Sequence, residues 1–175
     1  MGIEEALQFI HATSWMGSRL GLDRMQDLMF RLGNPQAELR FVHVAGTNGK
    51  GSVCAMLSSI LTSAGYCTGL YTSPHLVRVN ERMKINGVDI SDEDLIRAAE
   101  QVKTVVDQMD DKPTEFEVIT AIAFLYFRLQ KCDIVVLEVG LGGRLDATNV
   151  IPAPELAIIM NIGLEHTEVL GDTLQ

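Results

Sequence analysis

Residues Phe41–Ser52, FVHVAGTNGKGS, restrict the fold more than any other stretch of the chain. The apolar run Phe41, Val42, Val44, Ala45 reads as a strand, and Gly46–Ser52 as a glycine-rich turn. Val53, Met56, Leu57, Ile60 and Leu61 then recur at spacings of three and four, the period of a helix. Glycines at such a junction let backbone N–H groups turn inward around an anion. The fresh helix N-terminus adds a partial positive charge and Lys50 a full one. Asn48, Gly49, Lys50, Gly51 and Ser52 are therefore the candidate phosphate cradle. The bland alternative is a glycine-rich turn with a solvated lysine.

The strict P-loop spacing is not met. Counted back from Gly49, its first glycine falls on Val44, and Gly51 stands where that motif places the hydroxyl that holds Mg²⁺. If Gly51 cannot supply that oxygen, another group must. Ser73, in Thr72-Ser73-Pro74-His75-Leu76, is placed for it, because Pro74 fixes the backbone just beyond a second expected strand, Cys67–Tyr71. Taken alone, a Ser-Pro turn is only a turn.

With 175 residues, 47% hydrophobic and 21% charged, the chain can bury one good core. A net charge of −9 argues against a nucleic-acid or anionic-membrane surface. It leaves room for a local anion site built from backbone amides. Cys54, Cys67 and Cys132 are odd in number and in no metal-like spacing, which suits reduced thiols in the cytoplasm. Glu4 and Glu5 do not fit the basic start of a signal peptide, and the apolar stretch Val118–Phe127 is too short to span a bilayer.

Before the cradle, the spacing predicts a helix over 3–13 and a second one carrying Met25, Leu28, Met29 and Leu32, stopped by Gly33-Asn34-Pro35. After it, Asn86-Gly87 signals a hairpin. Ser91 with Asp94 resembles a capping box opening a helix through about Met109. Pro113-Thr114-Glu115-Phe116-Glu117 leads into an apolar helix over Val118–Leu129. On the residues alone, Glu115 and Glu117 are solvated carboxylates favoured by the helix dipole, as is Asp23 in its own first turn.

Asp133–Val139, DIVVLEV, is continuous rather than alternating, the pattern of a buried strand. Glu138 lies inside it, and a carboxylate there is costly to bury unless it meets a cation. The alternative of a pair with a surface lysine fits poorly among apolar neighbours. A polar loop, Gly140–Asn149, succeeds it at the same sheet edge, and Leu156–Asn161 reads as a further strand. His166 comes after it, where a second-metal ligand would sit, although a lone histidine is more often a capping or hydrogen-bonding residue. His11 and His43 read as structural.

Taken together, LGLDR (Leu20, Gly21, Leu22, Asp23, Arg24), GTNGKGS, TSPHL, FEVITA, EVGLGGRLDATN and GLEHTEVLG span nearly the whole chain in order. This set resembles the folylpolyglutamate synthase/dihydrofolate synthase branch of the ATP-dependent Mur ligase superfamily. Glu165-His166 departs from the Asp-His of that family. The resemblance implies an α/β fold, a P-loop NTPase-like three-layer domain with a mainly parallel sheet of the Mur ligase central-domain type. It also implies that residues 1–175 are the N-terminal ATP-binding domain, ending before a C-terminal domain and before a lysine that the family carbamylates.

The same resemblance implies roles for the site residues. ATP lies on Asn48–Ser52 with Lys50 at its β/γ-phosphates. Ser73 and Glu138 hold one Mg²⁺ and His166 a second, so that Lys50, Glu138 and His166 carry the catalysis. A pterin-bearing substrate meets Leu20–Arg24, Thr114, Glu115, Phe116 and Glu117, and Leu145, Asp146 and Ala147. Arg144 is left open between substrate contact and plain surface. A folate or dihydropteroate carboxylate becomes an acyl phosphate, and the amine of L-glutamate displaces phosphate to form an amide. The expected full-length enzyme is a cytoplasmic monomer with small-molecule partners, using neither nucleic acid nor membrane. Two rivals are a peptidoglycan Mur ligase, disfavoured by the K-G-S ending and the SPHL and GGRLDATN loops, and a catalytically silent nucleotide-binding module.

Overall fold

A computed structural model describes residues 1–173. Six strands form one sheet in the order β4-β3-β2-β5-β1-β6. They are β1 (Phe41–Ala45), β2 (Thr68–Tyr71), β3 (Met83–Ile85), β4 (Val88–Asp89), β5 (Ile134–Glu138) and β6 (Leu156–Ile159). Strands β2, β5, β1 and β6 run parallel, and β3 and β4 are antiparallel additions at one edge. The expected hairpin is present. Asn86 and Gly87 both have positive φ, 50° and 82°, which is why Asn-Gly suits the two-residue turn.

The helices are α1 (Ile3–His11), α2 (Asp23–Arg31), α3 (Lys50–Ser63), α4 (Asp92–Val106), α5 (Glu115–Leu129) and the short α6 (Thr167–Leu170). They make the expected three layers, unequally. On one face, α1, α2, α4 and α5 pack with Phe41, Tyr71, Val135 and Leu137 into the main core. Every residue of α5 from Glu117 to Phe127 is buried, as an all-round apolar helix must be. On the other face α3 stands over Val42, Val44, Leu70 and Val136.

Several boundaries shift from the sequence expectations, for local reasons. Helix α5 starts at Glu115 rather than Val118, because Thr114 caps it: its hydroxyl accepts from the Glu117 N–H at 3.3 Å, and the Glu117 carboxylate accepts from the Thr114 N–H at 2.7 Å. Helix α4 ends at Val106, short of Met109, and α1 at His11. The apolar stripe of α3 divides: Val53, Leu57 and Leu61 pack inward with Cys54, whereas Met56 and Ile60 face solvent at 58% and 63% exposure. Ser91 caps α4 as expected, accepting from the Asp94 N–H at 3.1 Å.

The carboxyl ends of β1, β2 and β5 (Ala45, Tyr71 and Glu138) reach the same edge, since Val44 lies opposite Glu138 and Leu137 opposite Tyr71. Ligands of open parallel sheets bind at that edge.

Candidate functional site

The turn after β1 is held in a shape that its glycines make possible. Gly46 has φ 131°, and a Cβ there would lie 2.6 Å from the Cβ of Met160, so no side chain fits. Gly49, at φ 83°, caps α3, which begins at Lys50. Thr47 ties the turn to the loop after β6. Its N–H donates to the Asn161 carbonyl at 2.9 Å, and its hydroxyl accepts from the Gly163 N–H at 3.0 Å. Lys50 folds over the turn, donating to the carbonyls of Gly46 at 2.7 Å and Thr47 at 3.1 Å. A lysine clasped to two neutral carbonyls keeps its whole charge for an incoming anion.

Beside the turn, Glu138 is only 4% exposed. Its carboxylate accepts from the Ser73 N–H at 2.8 Å, and its two oxygens lie 3.7 and 3.9 Å from where a Cβ on Gly51 would stand. Burial pushes the Glu138 carboxyl above the usual carboxylate range, against the pull of the Ser73 amide, Lys50 and the Gly51 amide. Among the described residues no group of three His, Cys, Asp or Glu side chains could hold a metal ion. The donor set at this spot is instead a serine and one buried carboxylate beside a phosphate-type turn. That set suits Mg²⁺, which takes one or two protein oxygens and completes its shell with phosphates and water. His166 lies farther along than a strand terminus, seven residues after the end of β6, in a left-handed conformation with φ 52° just before α6.

Two adjoining cavities open at this edge. The larger, about 410 Å³, is lined by Leu20, Gly21, Thr47, Lys50, Ser73, Pro74, Arg82, Thr114, Phe116, Glu117, Leu145, Asp146, Ala147 and His166, with Gly17–Arg19, Gly140, Leu141 and Glu165. The smaller, about 150 Å³, lies over Gly46, Thr47, Lys50, Gly140–Gly142, Ile162, Gly163, Glu165, His166 and Leu170. Thr47, Lys50 and His166 line both, so the two form one cleft with a cradle end and a wider end. Phe116 forms part of the wider end by lying against bare backbone. A Cβ on Gly140 would fall 2.4 Å from the Phe116 ring.

Most of the residues expected at the site meet in this cleft, but several play another part. Glu117 is not solvated: it is 2% exposed and pairs with Arg24 at 3.2 Å. Arg24 also donates to the Arg19 carbonyl at 2.8 Å, so it fixes the 19–24 loop to the first turn of α5 without lining the cleft. Leu22, Asp23 and Glu115 do not line it either. Asp23 opens α2, and Glu115 turns to His11 at 3.0 Å. Asp146, 4% exposed, is consumed by its own loop, accepting from the N–H groups of Leu141 at 2.8 Å and Thr148 at 3.0 Å. His43 joins that loop to β1 through Thr148 at 2.9 Å. Asn48, Gly49, Gly51 and Ser52 line neither cavity; they form the backbone of the turn and the first turn of α3. Among the lining residues overlooked in the sequence are Thr47 and Arg82. Arg82 lies in a polar run with no motif, and only its position just before β3 gives it a place at the sheet edge.

The Mur ligase middle domain, as a family pattern, matches residues 44–175. The chain belongs to the Mur ligase family. Among Mur ligase relatives, the Bacillus subtilis dihydrofolate synthase/folylpolyglutamate synthase is 46% identical over 177 residues, covering 98% of this chain and 41% of the relative. The Escherichia coli FolC in complex with DHPP and ADP is 37% identical with a TM-score of 0.89, covering 99% of this chain and 41% of that one. An FPGS–AMPPCP–folate complex is 40% identical with a TM-score of 0.91, covering 99% and 43%. This Mur ligase chain spans about two fifths of the length of the curated relatives it matches.

Proposed function

We propose that the chain is the ATP-binding part of a ligase that joins L-glutamate to the carboxylate of dihydropteroate or a folate through an acyl phosphate. The observation that carries this reading is the continuity of the cleft. The Lys50 turn opens directly into a wider, partly apolar end walled by Leu20, Phe116 and Leu145. Relatives solved with AMPPCP and folate, or with DHPP and ADP, support the reading.

The turn amides and Lys50 hold the β- and γ-phosphates at the cradle end. The wider end takes the flat ring system and aims its carboxylate toward the γ-phosphorus. The carboxylate oxygen bonds to phosphorus as the bond to the ADP oxygen breaks. The glutamate amine then attacks the acyl carbon, phosphate leaves, and the amine gives up a proton. Alignment and charge neutralisation of two anions supply most of the rate, and no protein nucleophile is required. Ser73 and Glu138 would hold Mg²⁺, which would withdraw charge from the phosphates, and His166 would help hold a second ion. The complete reaction is proposed for the full-length protein, working as a monomer in the cytoplasm, where ATP and reduced thiols coexist.

Lys50→Ala in the full-length protein tests the reading. Glutamate-dependent ADP release should fall about 100-fold or more, in line with loss of a single preorganised charge at a reacting phosphate. Release at the wild-type rate would refute it.

A further inference from the structure

Arg82 is half-buried and lines the larger cavity but not the smaller one. Among the described residues it forms no ion pair with a carboxylate, whereas Arg19, Arg24, Arg31, Arg40, Arg78, Arg97 and Arg128 all do. Its guanidinium is nonetheless held in place. Nε donates to His75 Nδ1 at 2.8 Å, and the group also reaches the Tyr71 hydroxyl. Tyr71 is in turn fixed by Thr120 at 3.0 Å. The arginine is thus anchored on its inner side by two neutral partners.

The other charges of the wide end each have a partner or a place, Glu165 lying 3.9 Å from His166. Glu117 has Arg24, Asp146 has its loop amides, Arg19 has Asp111 and Lys50 lies on the cradle. A rigid, uncommitted guanidinium in an otherwise satisfied wall suits a planar anion that arrives with the ligand. Arg82 lines the wide end, which takes the acid, and not the smaller cavity over the phosphate turn, so that anion belongs to the acid substrate rather than to the nucleotide.

We propose that Arg82 is the residue that binds a carboxylate of the pterin-bearing acid, setting the preference of the wide end for an acid over its neutral analogue. This inference rests on the function proposed above and assigns a specificity residue within it. The His75–Arg82–Tyr71 contacts act as the support that holds the guanidinium's fork in one orientation.

The test is binding of pteroate and of its neutral carboxamide to the full-length protein in the presence of a non-hydrolysable ATP analogue. Wild type should favour the acid by roughly 10- to 100-fold, as expected for one charge-assisted contact. Arg82→Ala should bring the two ligands to within about threefold, with affinity for the ATP analogue unchanged, which also reports that the cradle is folded. Arg82→Lys, keeping the charge without the fork, should retain part of the preference and serves as the second variant if alanine unfolds the protein. An acid preference of wild-type size in these variants would overturn this inference alone. Failure of wild type to bind pteroate at all would overturn the proposed function and this inference with it.

Discussion

Glu117, in the first turn of α5, and Glu138, at the end of β5, are the same residue type and almost equally buried, at 2% and 4% exposure. Their surroundings differ. Glu117 has a guanidinium at 3.2 Å and the Thr114 N–H at 2.7 Å, so its charge is met inside the fold. Glu138 has the Ser73 N–H, but no lysine or arginine pairs with it among the described residues, and burial raises its pKa. A buried carboxylate with its partner built in holds structure together. One left without a partner at the edge where ligands bind stores an unmet demand for a cation.

The largest effect that would break this comparison lies on the Glu117 side. Arg24→Ala leaves Glu117 buried without its cation, and should lower unfolding free energy by about 3–5 kcal/mol in denaturant titration. A loss below about 1 kcal/mol would mean that the pair is solvated and the two carboxylates are alike. Glu138→Gln should do the reverse. It keeps an acceptor for the Ser73 N–H and removes a desolvated charge, so stability stays level or rises while glutamate-dependent ADP release falls about 100-fold. A clear loss of stability would show that Glu138 is a structural group like Glu117.

The smallest effect sharpens the contrast through pH. Glu138 binds its proton more tightly folded than unfolded, so its contribution to stability is greatest at low pH. That contribution declines as pH rises from about 4.5, the ordinary value, through the raised folded value. The slope from this one group cannot exceed about 1.4 kcal/mol per pH unit. It should be absent in Glu138→Gln and reduced by added MgCl₂ in the wild type. A slope of opposite sign in the difference between the two proteins would contradict the assignment.

Much of the site is legible in the sequence because its signals are local. Strand, glycine turn and helix around Lys50 follow from period and residue type, and a lone acid in DIVVLEV stands out by its expense. The capping box Thr114-x-x-Glu117 is local too, but the apolar run after it is the louder signal. Weighting that run places the start of α5 at Val118 and leaves Glu117 looking solvated. Partners separated along the chain are not legible. Arg24 meets Glu117 across 93 residues, and Thr47 meets Gly163 across 116. No periodicity encodes such pairings, because they depend on strand order. Arg82 is invisible for the same reason.

The antiparallel edge of the sheet has a consequence for how a cleft of this kind can be furnished. A parallel strand visits the carboxyl edge once and leaves through a helix on its way back. Here the chain exits at Tyr71, and Met83, its partner across the ladder, starts the return directly from the same edge. The two ends of segment 72–82 therefore meet at the mouth of the cleft, where the Thr72 N–H donates to the Arg82 carbonyl at 3.1 Å. The segment delivers Ser73 on the way out and Arg82 on the way back to the same cavity, a double passage that lets a single connection furnish one cleft with two different groups.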